Sequence, residues 1–270
     1  MSTATATATP THRVETIDTA RPGVPLSRII KVELRKMFDT RSGFWLMASI
    51  GILSTLATIG VILFLPDENL SFSAFGTAVG VPMAILLPVM AILSVTGEWS
   101  QRTGLITFTL VPHRSQVILA KAIAAVIVGI VSMVLAFAIG AVGNVVGSAL
   151  NGVDTVWETT FTDFLLIILA NILGLLVGFM LGVLIRSTAA AIVAYFVYSF
   201  VLPSIFGVLA AFQDWFKDLQ PWVDFGYAQT PLFEGGVTGE QWAQIGVSGM
   251  VWLVIPMVFG VWAVLRSEVK

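Results

Sequence analysis

Six stretches of this chain are each long and apolar enough to cross a bilayer, and none carries a charge in its core. They run over about 44–65, 74–96, 122–150, 164–185, 188–212 and 245–265. Crossing a hydrocarbon layer of about 30 Å takes about 20 residues at a helical rise of about 1.5 Å. Of the 270 residues only 11% are charged, against about 25% in a soluble domain. That leaves too little polar surface to coat a water-soluble body, so lipid is the expected solvent. The expected fold class is an all-α membrane protein with six transmembrane helices.

The flanking charges orient this arrangement. Arg13, Arg21, Arg28, Lys31, Arg35, Lys36 and Arg41 precede the first span. Arg102, Arg114 and Lys121 lie between spans two and three, Arg186 between four and five, and Arg266 and Lys270 after the sixth. Of the Lys and Arg residues, Lys217 alone falls on the opposite side, with Asp67, Glu68, Asp154, Glu158, Asp214 and Asp224. Basic residues stay cytoplasmic, so both termini are expected in the cytoplasm, as an even number of spans also requires. The expected setting is a bacterial-type inner membrane.

Residues 1–25 alternate Thr and Ala around three Pro and lack the apolar run of a secretory signal. They read as a disordered cytoplasmic tail, and 266–270 as a short second one. Between the tail and the first span, residues 26–41 place Leu26, Ile29, Ile30, Leu34, Met37 and Phe38 at helical spacing, with Arg28, Lys31, Arg35 and Lys36 mainly on the other side. An apolar stripe with a basic face predicts an amphipathic helix lying in the membrane interface. Such a helix either steadies the first span or also touches a cytoplasmic partner.

What is missing narrows the chemistry. With no Cys, thiol catalysis and thiolate metal sites have no material, and with two His zinc chemistry has almost none. A nucleotide-binding P-loop requires Gly-Lys, and that dipeptide does not occur. No enzymatic activity and no cofactor is expected on this chain. Glu98, Asp163 and Arg186 sit only at span ends, so the proton relays that drive many carriers have no obvious members. Energy for uphill transport would have to enter from a separate chain.

Residues 97–121, GEWSQRTGLITFTLVPHRSQVILAK, form the one sizeable loop on the basic side besides the N-terminal segment. Glu98 and Arg102 are helical neighbours, an apolar stretch Leu105 to Leu110 follows, and Pro112 breaks the run. The order of Glu98, Arg102, Thr103-Gly104, the apolar stretch, Pro112, Arg114-Ser115 and Lys121 resembles the permease subunits of type-2 ABC exporters. So does the plan of an interfacial helix, six spans and a longer outer segment before the last span. This resemblance implies a permease that pairs with a second protomer, identical or not, and binds two cytoplasmic ATPase subunits, which would hold ATP and Mg. It also implies that 97–121 is the coupling loop docking into the ATPase, and that a drug, antibiotic, lipid or similar amphipathic substrate is exported.

The outer segment 213–243 carries Trp215, Trp222, Tyr227 and Trp242 among acids, which suits interfacial anchors. Phe212, Trp215, Phe216 and Leu219 predict an apolar helical stripe within it. The resemblance implies short re-entrant helices forming an outer gate, with Trp215, Phe216 and Trp222 as candidates. Gly174, Gly178 and Gly182 line one face of span four, and Gly143-Gly147 and Gly76-Gly80 form further pairs, as close helix packing requires. The rival functional readings are a stand-alone channel or secondary carrier, and a non-transporting membrane protein.

Overall fold

The computed structural model describes residues 24–100 and 114–266. The expected tails, and Arg102, Thr103, Gly104 and Pro112 of the expected coupling loop, lie outside the described residues. Among those described, helix is the only regular structure. Helix α1 is Leu26–Asp39, α2 Arg41–Phe64, α3 Phe72–Ser100, α4 Arg114–Asn151 and α5 Phe161–Ile185. Helix α6 covers Thr188–Phe212 and α10 Gly239–Arg266. Between them lie the short helices α7 (Asp214–Val223), α8 (Phe225–Ala228) and α9 (Pro231–Glu234). Helices α2 to α6 and α10 are the six long and apolar enough to cross a membrane, consistent with a multi-pass membrane protein.

Local chemistry sets several boundaries. Helix α5 starts on a capping box: Asp163 Oδ2 accepts from the Thr160 N–H at 2.9 Å, and Thr160 Oγ1 accepts from the Asp163 N–H at 3.2 Å. It ends where Arg186 turns left-handed at φ 58°, opening the tight hairpin into α6. A second capping box, Thr238 with Gln241, starts α10. It adds a polar turn that hydropathy does not register, so the helix begins at Gly239 rather than near 245. Helix α4 likewise begins at Arg114 rather than near 122. Its 38 residues reach about 57 Å, well beyond a hydrocarbon layer of about 30 Å.

Helix α3 is the centre, packed against α2, α4 and α5. Small residues permit the closest approaches: a Cβ placed on Gly178 would lie 2.6 Å from the Pro88 carbonyl oxygen, and one on Gly143 would lie 2.2 Å from Thr58. Gly182 sits on Ile92 and Val95, and Gly147 on Ile62 and Phe75. These faces are therefore spent on packing within the chain, whereas Gly174 and Gly80 face open space. The outer surface of the long helices is apolar as well as the core. Ser54, Thr58, Asn144, Ser148 and Asn171 are buried while Leu56, Val208 and Phe259 are exposed, the arrangement expected where the surroundings are apolar. Of the two asparagines, Asn144 donates to the Val156 carbonyl at 2.9 Å and Asn171 to Ile167 of its own helix.

Helices α6 and α10 share a device. Each widens to a π-helical turn at mid-length, Val197–Val201 and Met250–Val254, closed by N–H bonds from Leu202 to Val197 and from Ile255 to Met250. Each turn stops two residues before a proline, Pro203 and Pro256. A proline ring has no N–H to donate and clashes with the carbonyl four residues back. Widening the helix accommodates it.

Candidate functional site

Helix α1 carries one residue against its own pattern. Glu33 falls on the apolar stripe, seven residues after Leu26 and four after Ile29, and is only 5% exposed. A buried carboxylate requires partners: Lys36 lies one turn along the same helix, and Lys121 and Glu98 complete the cluster from distant parts of the chain. Lys121 Nζ, about two turns into α4, lies 2.6 Å from Glu33 Oε2. Lys36 Nζ lies 2.7 Å from Glu33 Oε1. Glu98, near the end of α3, lies 3.1 Å from Lys121 and 3.4 Å from Lys36 through Oε1.

The cluster is neutral overall, with two carboxylates and two ammonium groups. Lys121 is also close to saturated: it donates to the Ser94 carbonyl at 3.1 Å, so three oxygens surround its three protons. Burial by itself would push the Glu33 carboxyl up. The charges and hydrogen bonds of Lys121 and Lys36 outweigh that and hold it below its ordinary 4.5. Burial would likewise lower Lys36, but Glu33 and Glu98 outweigh it and raise the ammonium above its ordinary 10.5.

This cluster ties α1 to the end of α3 and the start of α4, the two helices from which 101–113 departs. Of the residues singled out from the sequence, it joins Glu98, Lys121 and Lys36. Arg28, Lys31 and Arg35 remain on the exposed face of α1, Arg35 pairing with Asp39 at 2.8 Å. Lys36 therefore does not belong to a uniform basic face, because its ammonium reaches back to Glu33 and Glu98. Arg114 opens α4. Glu33 was missed by the sequence reading. The signal was its register: an acid between Ile30 and Leu34 on an otherwise apolar stripe.

On the opposite side of the chain, 213–238 folds back between the long helices. Gln213 is extended, with φ −133° and ψ 103°, so Phe212 ends α6 and α7 starts afresh. The expected stripe of Phe212, Trp215, Phe216 and Leu219 is therefore broken. Phe216 is buried against Phe206, whereas Phe212 is 80%, Trp215 63% and Leu219 41% exposed. The inward positions of α7 are instead Phe216 and Gln220, and Trp222 is half-buried. Helix α7 runs alongside α6 and α10 until the Val223 carbonyl accepts from Trp252 Nε1 at 2.6 Å. Trp252 lies in the π turn at mid-length of α10. Helix α9 then returns along α5, with Leu232 fully buried and Gly235 beside Asp163.

No protein-family model matches the sequence, and no curated protein matches it either.

Proposed function

We propose that this chain is the membrane-spanning permease subunit of an ATP-driven ABC exporter. The observation that carries the reading is the cluster of Glu33, Lys36, Glu98 and Lys121. It locks α1 to both helices flanking 101–113, so a push on that loop reaches three elements together through short, desolvated ion pairs. A cytoplasmic ATPase docked on 101–113 and on the exposed basic face of α1 would thereby move α1, α3 and α4 as one unit. In this reading both termini are cytoplasmic, the setting is a bacterial inner membrane, and α1 lies at the membrane interface. ATP and Mg are held by two ATPase subunits, a second protomer completes the path, and 213–238 closes it on the outer side.

Charge reversal tests the docking surface. Arg102→Glu combined with Arg35→Glu replaces none of the four cluster residues and is expected to abolish ATPase association while membrane insertion and thermal stability persist. Full association and full export by this variant would remove 97–121 and α1 from the docking surface. Glu98→Ala is a poorer probe, because it removes a partner from the cluster itself.

A further inference from the structure

The fold-back of 213–238 borders a half-open pocket of about 400 Å³, within the range of small-molecule sites. Its walls come from the middles of α3 (Ala84), α5 (Gly174), α6 (Tyr195, Tyr198) and α10 (Trp252), and Asp224 closes it from the loop between α7 and α8. Both π-helical turns face it. Those turns interrupt the regular carbonyl ladder beside the one cavity they share.

Two polar groups here are incompletely matched by the fold. Asp224 is 3% exposed. Its carboxylate accepts from Gln220 Nε2 at 3.2 Å and from the Tyr227 N–H at 3.1 Å, but among the described residues no cation pairs with it. The Tyr198 hydroxyl is buried without a hydrogen-bond partner. A desolvated carboxylate without a counter-charge is costly, and a buried hydroxyl without a partner adds to that cost. Rings stand beside them: Tyr198 lies 5.8 Å from Trp252 and 6.5 Å from Tyr195 between centroids. A carboxylate that lines one pocket with electron-rich rings attracts a cation whose remaining surface is apolar.

We infer that this cavity binds an amphipathic organic cation, with the positive centre between Asp224 and the rings of Tyr198 and Trp252. That the bound molecule is the exported cargo rests on the exporter reading; binding itself does not.

The test uses the full-length protein purified in mild detergent, with radiolabelled tetraphenylphosphonium as the probe and tetraphenylborate as an anion of the same shape. Saturable binding of the phosphonium is expected, and no saturable binding of the borate measured separately. Asp224→Asn should weaken it by about tenfold or more, the loss expected when a desolvated charge pair is removed. Asn keeps the capping bond to the Tyr227 N–H, so this variant should fold. Gly174→Leu, whose Cβ would meet no heavy atom within 4 Å, should also abolish binding by filling the cavity. Displacement by phosphatidylethanolamine would assign the ammonium to a lipid headgroup, whereas displacement only by soluble quaternary amines would assign it to a drug-like solute. Equal binding of phosphonium and borate, wild-type affinity in Asp224→Asn, or no saturable binding to the folded wild type would each overturn the inference. None of these outcomes depends on an ATPase partner.

Discussion

Tyr195 donates its hydroxyl proton to the Ala84 carbonyl oxygen at 2.7 Å, and Ala84 stands four residues before Pro88 in α3. That carbonyl would ordinarily accept from the residue at position 88, which as proline has no N–H. A side chain 111 positions away thus completes the backbone bonding of the central helix at Pro88, the second of its two prolines, as apolar surroundings demand. Tyr195→Phe is expected to cost about 1–3 kcal/mol, the penalty of an unsatisfied buried acceptor. In a Pro88→Ala background, where an N–H is restored, the same change should cost much less. Thermal melts of the four proteins in detergent measure this coupling, and equal costs in both backgrounds would remove the proline from the explanation.

The ion cluster predicts a second coupling. Lys121→Met leaves Glu33 and Glu98 short of a partner inside the protein and is expected to destabilise by about 3–5 kcal/mol. Adding Glu33→Gln should recover part of that loss, because the two side chains share one interaction. Additive effects in the melting series would show that the pair does not couple.

Its pH dependence has a defined sign. A carboxyl held below its ordinary value stabilises the fold above that value and loses the contribution as pH falls through the lowered one. A raised ammonium does the reverse, stabilising below 10.5 and losing its contribution as pH climbs past the raised value. The gap in melting temperature between wild type and Glu33→Gln should therefore stay constant between about pH 6 and 9 and narrow as pH falls below 4.5. A gap that opened and closed around neutral pH would implicate another group.

Glycine positions on α5 should separate sharply. Gly178→Ala forces a Cβ to 2.6 Å from the Pro88 carbonyl oxygen, and overpacking of this kind costs about 1–3 kcal/mol. Gly174→Ala, which meets nothing, should be neutral or slightly stabilising through helix propensity. Comparable losses at both sites would place the α3–α5 contact elsewhere.

Because the chain has no cysteine, single-cysteine reporters can be introduced without background. Arg35→Cys and Trp215→Cys, both at exposed positions, should react with an impermeant thiol reagent from opposite faces of the membrane, Arg35→Cys only from the cytoplasmic face. Labelling of both from one face would refute the proposed sidedness.

The six long helices were legible because burial in lipid demands unbroken apolar runs, and such runs are visible in any window of the sequence. Their ends were less so: the capping boxes at Thr160 and Thr238 and the polar first turns of α4 lie where hydropathy has no signal. Glu98, Lys36 and Lys121 stood out singly as charges near the membrane edge. What brought them together was Glu33, whose meaning lay in its register on α1 rather than in its neighbours. Asp224 was counted among the outer acids because nothing local reveals that α7 descends to the level of Trp252. The stripe on α7 failed for a related reason, since one extended residue at Gln213 resets the helical phase between Phe212 and Trp215.

The central claim is that this chain works with a separate ATPase. Affinity purification of the full-length protein from its native membrane in mild detergent, with mass spectrometry of the co-eluting proteins, tests it most directly. A stoichiometric cytoplasmic ATPase carrying a Gly-x-x-x-x-Gly-Lys-Ser/Thr motif is expected, and its loss when Arg102 and Arg35 are reversed in charge. An intact, correctly inserted protein that co-elutes with no ATPase, under conditions shown to preserve such complexes, would contradict it and favour a stand-alone channel or carrier.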